Sequence, residues 1–422
     1  MDETSVPTTL PDDDASETTS GGDGKSSDFI EAFQWRADDN MVALRFRSGL
    51  VRGFSGDALH AIHAKDFAMV EVYPWRRSVF FKTRRGDGFS SRFGSRFNSS
   101  PLRDRPVVYL DQNQWSTLSK SVHAPWRVQS DDELKAAWRL IGLASSGRVV
   151  LPLSAAHLGE TGSFGNDEGR YELAVAILSC SGGWQMRDPL QVRAAEFRQV
   201  LARSSGKPEA LVPDVFTLEP YAALDPATRE GSSPRKDHAE LPAEWTHAYT
   251  ASLSSMVFAS MMLDQQATPR GDMAGWVQRV QEFSTWLSGE TNRTKQQRRR
   301  AAEVFMFSDA TREIARASFD AGLSLSEMSA WTQSTWHLPE LGAPAISLFR
   351  ATMIDKLLGS GRWEGNDLTD LFYLCTAAGY ADHVVGERRT IGLLEQSVRR
   401  LHAPVKLHRT LASVVDALSS EQ

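Results

Sequence analysis

The sequence predicts an α/β protein: a parallel sheet flanked by helices, interrupted by a large helical insertion and preceded by a small β-rich module. Three observations lead there. Val- and Leu-rich runs at 107–110 (VVYL), 149–153 (VVLPL) and 383–385 (HVV) are separated by stretches of helical period, the pattern of a parallel sheet with crossover helices. Between the second and third runs lies a long region of helical pattern. Ahead of all of them, residues 29–100 alternate short apolar runs with turn signals. A chain of 422 residues, 41% hydrophobic, exceeds the ~250 to 300 residues at which one core stops growing, so several structural units are expected.

Residues 1–28 hold eight acids (Asp2, Glu3, Asp12, Asp13, Asp14, Glu17, Asp23, Asp28) against Lys25 alone, and few apolar groups. Such a segment cannot bury enough surface to offset chain entropy and is expected to be a disordered acidic tail. It contributes −7 to a formal charge of −6, so the rest of the chain stands near neutral at +1. The net charge therefore does not exclude a polyanionic partner. The start lacks the basic and apolar stretches of a signal peptide, and no run of about 18 uncharged apolar residues occurs, so a cytoplasmic protein without membrane spans is expected. Cys180 and Cys375 sit in apolar helical runs and read as buried thiols, not as a disulfide or zinc site.

In residues 29–100 the runs MVALRF, SGLVRGFSGD, FAMVEVY and SVFFKT read as strands, and Gly86 to Asn98 as a linker. Trp75, Arg76, Arg77, Arg84, Arg85, Arg92 and Arg96 accompany Phe80, Phe81 and Phe89. Aromatic rings among arginines can stack on unpaired bases, or they can simply form core. Residues 101–200 supply the first half of the α/β domain and 355–422 the second. The insertion, 201–354, contains helical patterns over Trp245 to Leu263, Met273 to Leu287 and Lys295 to Phe319, and a further one, Ala345 to Leu358, runs across its end. Ser204 to Ala243, with six prolines, reads as loop. Trp276, Trp286, Trp331 and Trp336 fall among helix-spaced apolar residues and are assigned to packing.

An acid directly after a buried strand lies at the crevice where open α/β sheets bind ligands. Asp111 holds that position after VVYL; alone, it could equally cap the helix that follows. After VVLPL, Ser154 is a plausible N-cap, and Glu160 stands one turn beyond His157, facing the same way. A single His without a spaced partner is a weak ligand signal, so His157 reads as a first-turn polar residue. Asp367 and Asp370 share a face at the start of a helix, where the positive end of the helix dipole favours them. Asp382 and Glu387 flank HVV, with Glu387 at the crevice end. Hard oxygen ligands of this kind suit Mg²⁺ or Mn²⁺, and converging carboxylates repel unless a cation neutralises them.

The ordered set Asp111-Gln112-Asn113-Gln114-Trp115, Pro152-x-Ser154-x-x-His157-x-x-Glu160, Asn366-Asp367-x-x-Asp370 and Asp382-x-Val-Val-x-Glu387 resembles bacterial PIN-like domains with a Leu-Asp-Gln-Asn-type first strand. The resemblance covers roughly residues 105 to 200 and 355 to 415. It implies a PIN-like fold and a Mg²⁺- or Mn²⁺-dependent endonuclease, with RNA favoured over DNA. Asp111, Glu160 and Asp370, with Asp367 beside it, would match the family's acids, and its last acid falls near Glu387, where Asp is usual; Asp382 offers a competing alignment. A PIN-like interaction module without catalysis is the alternative. A phosphatase using Asp111 as nucleophile is disfavoured, because its loop lacks a second acid or a lysine. GxxxxGK[ST], HExxH and GxSxG motifs are absent. For the nucleic acid, Lys295, Arg298, Arg299 and Arg300 form a basic helix start, and Arg388 and Arg389 follow Glu387. A protein inhibitor or a second copy of the chain would also be compatible partners.

Overall fold

The computed structural model describes residues 30–55, 67–84, 86, 88–92, 102, 105–208, 211–224, 254–263, 274–359, 363–364 and 366–421. The acidic tail, most of the loop expected between Ser204 and Ala243, and the start of the helix expected from Trp245 lie outside them. Among the described residues no helix is long and apolar enough to cross a membrane.

The first unit is a six-stranded antiparallel sheet in the order β3-β2-β1-β4-β5-β6, built from β1 (Ile30–Arg36), β2 (Met41–Phe46), β3 (Val51–Ser55), β4 (Phe67–Tyr73), β5 (Ser78–Thr83) and β6 (Gly88–Arg92). Alternation sends Phe33, Trp35, Val70, Val72, Val79 and Phe81 to one buried face. The expected linker from Gly86 is corrected in part, because Gly88–Arg92 is the sheet's last strand. Its Gly/Ser composition masked one strong packing residue: Phe89 is buried and stacks on Phe81 with ring centroids 4.9 Å apart.

The second unit carries the parallel sheet β11-β10-β7, from β7 (Val108–Leu110), β10 (His383–Val385) and β11 (Lys406–His408). The run at 149–153 continues this sheet only through single parallel bridges, Val107 to Val150 and Leu153 to Gln185. Pro152, lacking an N–H, accounts for the interrupted ladder. The bridge at Gln185 leads to a two-stranded ribbon of β8 (Gln185–Met186) and β9 (Phe216–Thr217). β9 lies inside the segment expected to be all loop.

Around this sheet run α1 (Gln112–His123), α2 (Asp131–Ser145), α3 (Ala155–Gly162), α4 (Asp167–Ser181) and α5 (Pro189–Ser204), followed by helical residues 254–263. Then come α6 (Ala274–Gly289), α7 (Lys295–Asp320), α8 (Leu325–Ser334), α9 (Pro344–Leu358), α10 (Asp367–Tyr380), α11 (Arg388–Arg400) and α12 (Leu411–Ser420). A boundary at 354/355 would cut α9, which is buried on nearly every side although it carries Arg350, Asp355 and Lys356. Its Leu348, Met353 and Ile354 share one core with Val107, Tyr109 and Val384 of the sheet and with Met306 and Ile314 of α7. The insertion is thus integrated with the sheet, not appended to it.

The N-terminus of α9 is closed by a carboxylate distant in sequence. Glu196 of α5, fully buried, accepts from Ala345 N (2.9 Å), Ile346 N (2.8 Å) and the Tyr380 hydroxyl (2.7 Å). Burial pushes its carboxyl upward, and the three donors oppose that shift. Glu196→Gln keeps the shape but turns an amide N–H₂ toward a backbone N–H. It is expected to lower the unfolding free energy by about 2 kcal/mol, measured by urea denaturation.

Candidate active site

Asp111 leaves β7 where the parallel ladder ends: its N–H donates to the Val385 carbonyl at 2.9 Å. Its side chain caps α1, accepting from Gln112 N at 2.8 Å, and also receives the Glu387 N–H. The capping role and the crevice position therefore coexist. Gly386 faces it on β10's side, where an added Cβ would stand 3.7 Å from the Asp111 Cβ. Burial raises the Asp111 pKa, and the Glu387 carboxylate raises it further against those backbone donors.

Glu160 is on α3 and Asp370 on the first turn of α10, so two further elements bring acids to the same place. Burial, then Asp370, Asp111 and Glu387, push Glu160 up to about 8. Burial, then Asp111, Asp367 and Glu387, push Asp370 up to about 7, while Lys356 pulls the other way. These mutual effects join Asp111, Glu160, Asp370 and Glu387 in one electrostatic cluster. Glu387 is its exposed member; it stands at the N-cap position of α11 without a side-chain capping bond and accepts from the Asn113 side-chain amide.

The remaining sequence-selected groups fall into separate roles. Asp367 is held by a salt bridge to Lys356 (2.7 Å) and accepts from Glu364 N (2.7 Å), so it shapes the start of α10 beside Asp370. Asp382 is corrected as a site residue: it lies at the opposite end of β10, accepting from Val107 N at 2.8 Å. Because β7 and β10 are parallel with Val385 beside Leu110, the four residues from 382 to 386 carry it about 13 Å from the crevice. Ser154 is fully buried, and its Oγ lies 3.1 Å from the Tyr109 hydroxyl. His157 accepts from Ser154 N at 3.0 Å and stacks on Tyr109 with centroids 5.3 Å apart. Burial holds this imidazole down at about 3, so it is neutral, and it lies in the core under the first turn of α3.

Among the basic residues, Arg388 is exposed in the first turn of α11, adjacent to Glu387. Arg389 pairs with Glu364 (2.7 Å) and approaches Asp367 (3.8 Å). Arg299 pairs with Glu303 (3.3 Å) and reaches Asp355 on α9 (3.9 Å), whereas Lys295 and Arg300 are exposed at the start of α7. Arg298 is half-buried, and its Nε has no hydrogen-bond partner.

Lys356 was not singled out from the sequence. It is 6% exposed, near the end of a helix buried on nearly every side, with its ammonium 4.5 Å from the centroid of the Trp363 ring. The signal was available: a lysine on a helix buried all round must be paired, and the first acids downstream on a helix are Asp367 and Asp370.

The donors at the cluster are all carboxylate oxygens, which fit Mg²⁺ or Mn²⁺ better than softer metals. Among the described residues no three His, Cys, Asp or Glu side chains stand close enough to share an ion in this conformation. The fit therefore rests on donor chemistry and on the coupling among the four acids. No protein-family model, curated protein or solved structure matches the chain.

Proposed function

We propose that the chain is a PIN-like, Mg²⁺- or Mn²⁺-dependent endonuclease that hydrolyses phosphodiester bonds, with RNA as the favoured substrate. The observation that carries this reading is the convergence of Asp111, Glu160, Asp370 and Glu387, drawn from four places in the chain, into one coupled acidic cluster beside the ends of β7 and β10. Burial of three acids together is costly unless a cation or protons neutralise them. Asp111, Glu160 and Asp370 are the residues that would hold a divalent ion, on drawing closer together than they stand in this conformation. When bound, such an ion supplies a water ionised near neutral pH and charge stabilisation for a phosphate in displacement.

The chain's own groups set the rest of the geometry. Glu387, exposed and steadied by Asn113, is placed to accept a proton from water at the rim. Arg388 beside it can hold a substrate phosphate. Lys356 fixes Asp367 and moderates the charge on Asp370, so the α10 acids keep their positions.

Purified protein with Mn²⁺ is expected to cut single-stranded RNA, and EDTA to stop it. Intact RNA after incubation with freshly prepared, folded protein and Mn²⁺ would overturn the nuclease reading. A second reading, a PIN-like binding module without catalysis, draws support from the Asn113 amide, which occupies the carboxylate of Glu387. It expects metal-independent RNA binding without cleavage.

A further inference from the structure

The β module has a second face that the nuclease reading does not use. Residues 29–100 carry twelve Lys and Arg against seven Asp and Glu, a net +5, whereas residues 101–422 sum to −4. Positive charge is therefore concentrated in a unit that contains none of the four clustered acids. The register of the sheet sends Arg36, Arg45, Tyr73, Phe80 and Lys82 to the face opposite the buried Trp35, Val70, Val72 and Phe81. There Arg36, Arg45 and Lys82 are exposed, and Tyr73 and Phe80 are half-buried. Of the three phenylalanines noted beside the arginines, Phe81 and Phe89 are core and only Phe80 belongs to this face.

The surface is built flat. A Cβ at Gly88 would stand 2.8 Å from Phe80 Cζ, so glycine in the neighbouring strand is what lets this ring lie down across the sheet. On the adjacent strand the Arg76 guanidinium covers the Tyr73 ring at 5.4 Å from its centroid, and Arg45 hydrogen-bonds the Tyr73 hydroxyl. Glu71 is the acid among them; Arg36 and Arg45 also meet Asp39 and Glu31 at the margin. A horizontal ring flanked by cations suits a strand whose bases are free to stack and whose phosphates need neutralising. A duplex hides its base faces and offers the ring nothing.

We propose that this open face of the β module is a binding site for single-stranded RNA, with Phe80 as the stacking group and Arg45, Arg76 and Lys82 as phosphate contacts. The site is separate from the acidic cluster, so it stands or falls independently of catalysis. The test is fluorescence anisotropy of the full chain with a labelled single-stranded oligouridylate in EDTA, where metal-dependent cleavage cannot occur. Phe80→Ala is expected to weaken binding about tenfold, Phe80→Trp to retain it, and Lys82→Glu to weaken it and flatten its salt dependence. Lys82 is exposed, so its variant tests the proposal even if Phe80→Ala proves unstable. Equal affinity in Lys82→Glu and the parent, equal affinity for single strand and duplex, or no binding at about 0.1 M salt would overturn it. Cleavage without such binding would leave the nuclease reading standing and remove this one.

Discussion

Asp111→Asn is expected to abolish Mn²⁺-dependent RNA cleavage while changing the fold's stability little. Removing even an outer partner of a metal ligand commonly costs 10- to 100-fold in activity, so loss of a central ligand is expected to exceed about 100-fold. Stability changes little, because two favourable effects offset the loss of one acceptor for the Glu387 N–H. The asparagine carbonyl still accepts from Gln112 N, because Asn is as good an N-cap as Asp. The substitution also removes a charge that burial and Glu387 disfavour. Cleavage rates and thermal unfolding measured on the same preparation check both halves. A variant that loses activity and melting temperature together would indicate a structural cap, and one that cleaves normally would remove Asp111 from the chemistry.

The parts of this arrangement that were legible in the sequence are those fixed by local pattern. VVYL and HVV are short, apolar and bounded by acids, and they pair side by side as β7 and β10. Asp111 at a strand end, Glu160 about two turns into a helix and one turn from His157, and Asp370 at a helix start all follow from spacing along one element. What depends on tertiary register was less accessible. Asp382 and Glu387 both flank HVV, and the sequence favours Glu387 only by its place at the crevice end; the parallel pairing adds that Asp382 secures Val107 N at the far end. β11 was missed because Lys-Leu-His carries no Val or Ile signature; it forms because it completes the ladder beside β10. β6 was obscured by glycine and serine, although Gly88 is there because Phe80 needs the room. Glu196 and Lys356 were passed over because a buried charge on a helix takes its meaning from a partner outside that helix: for Glu196 the N-terminus of α9, for Lys356 the side chain of Asp367.

The second large effect is a pH-dependent instability centred on Glu160. Its carboxyl shifts from an ordinary 4.5 to about 8, and Asp370 from 3.8 to about 7, with burial as the leading cause of each. Both shifts mean that the folded chain binds the proton more tightly than the unfolded chain. Their stabilising contribution is complete below the unfolded values and is lost as pH rises through the folded ones, so the metal-free protein weakens between about pH 4.5 and 8. Glu160→Gln removes the titrating group. The variant should match the parent near pH 4.5 and exceed it by on the order of 3 kcal/mol at pH 9, read from denaturant melts at each pH. Mn²⁺ provides the complementary arm, since its binding must displace those protons and favours only the folded state. It should raise the parent's melting temperature more at pH 8 than at pH 6, and raise that of Glu160→Gln much less. Equal Mn²⁺ shifts in parent and variant would place the ion elsewhere, because a cation held by these carboxylates must feel the loss of one of them.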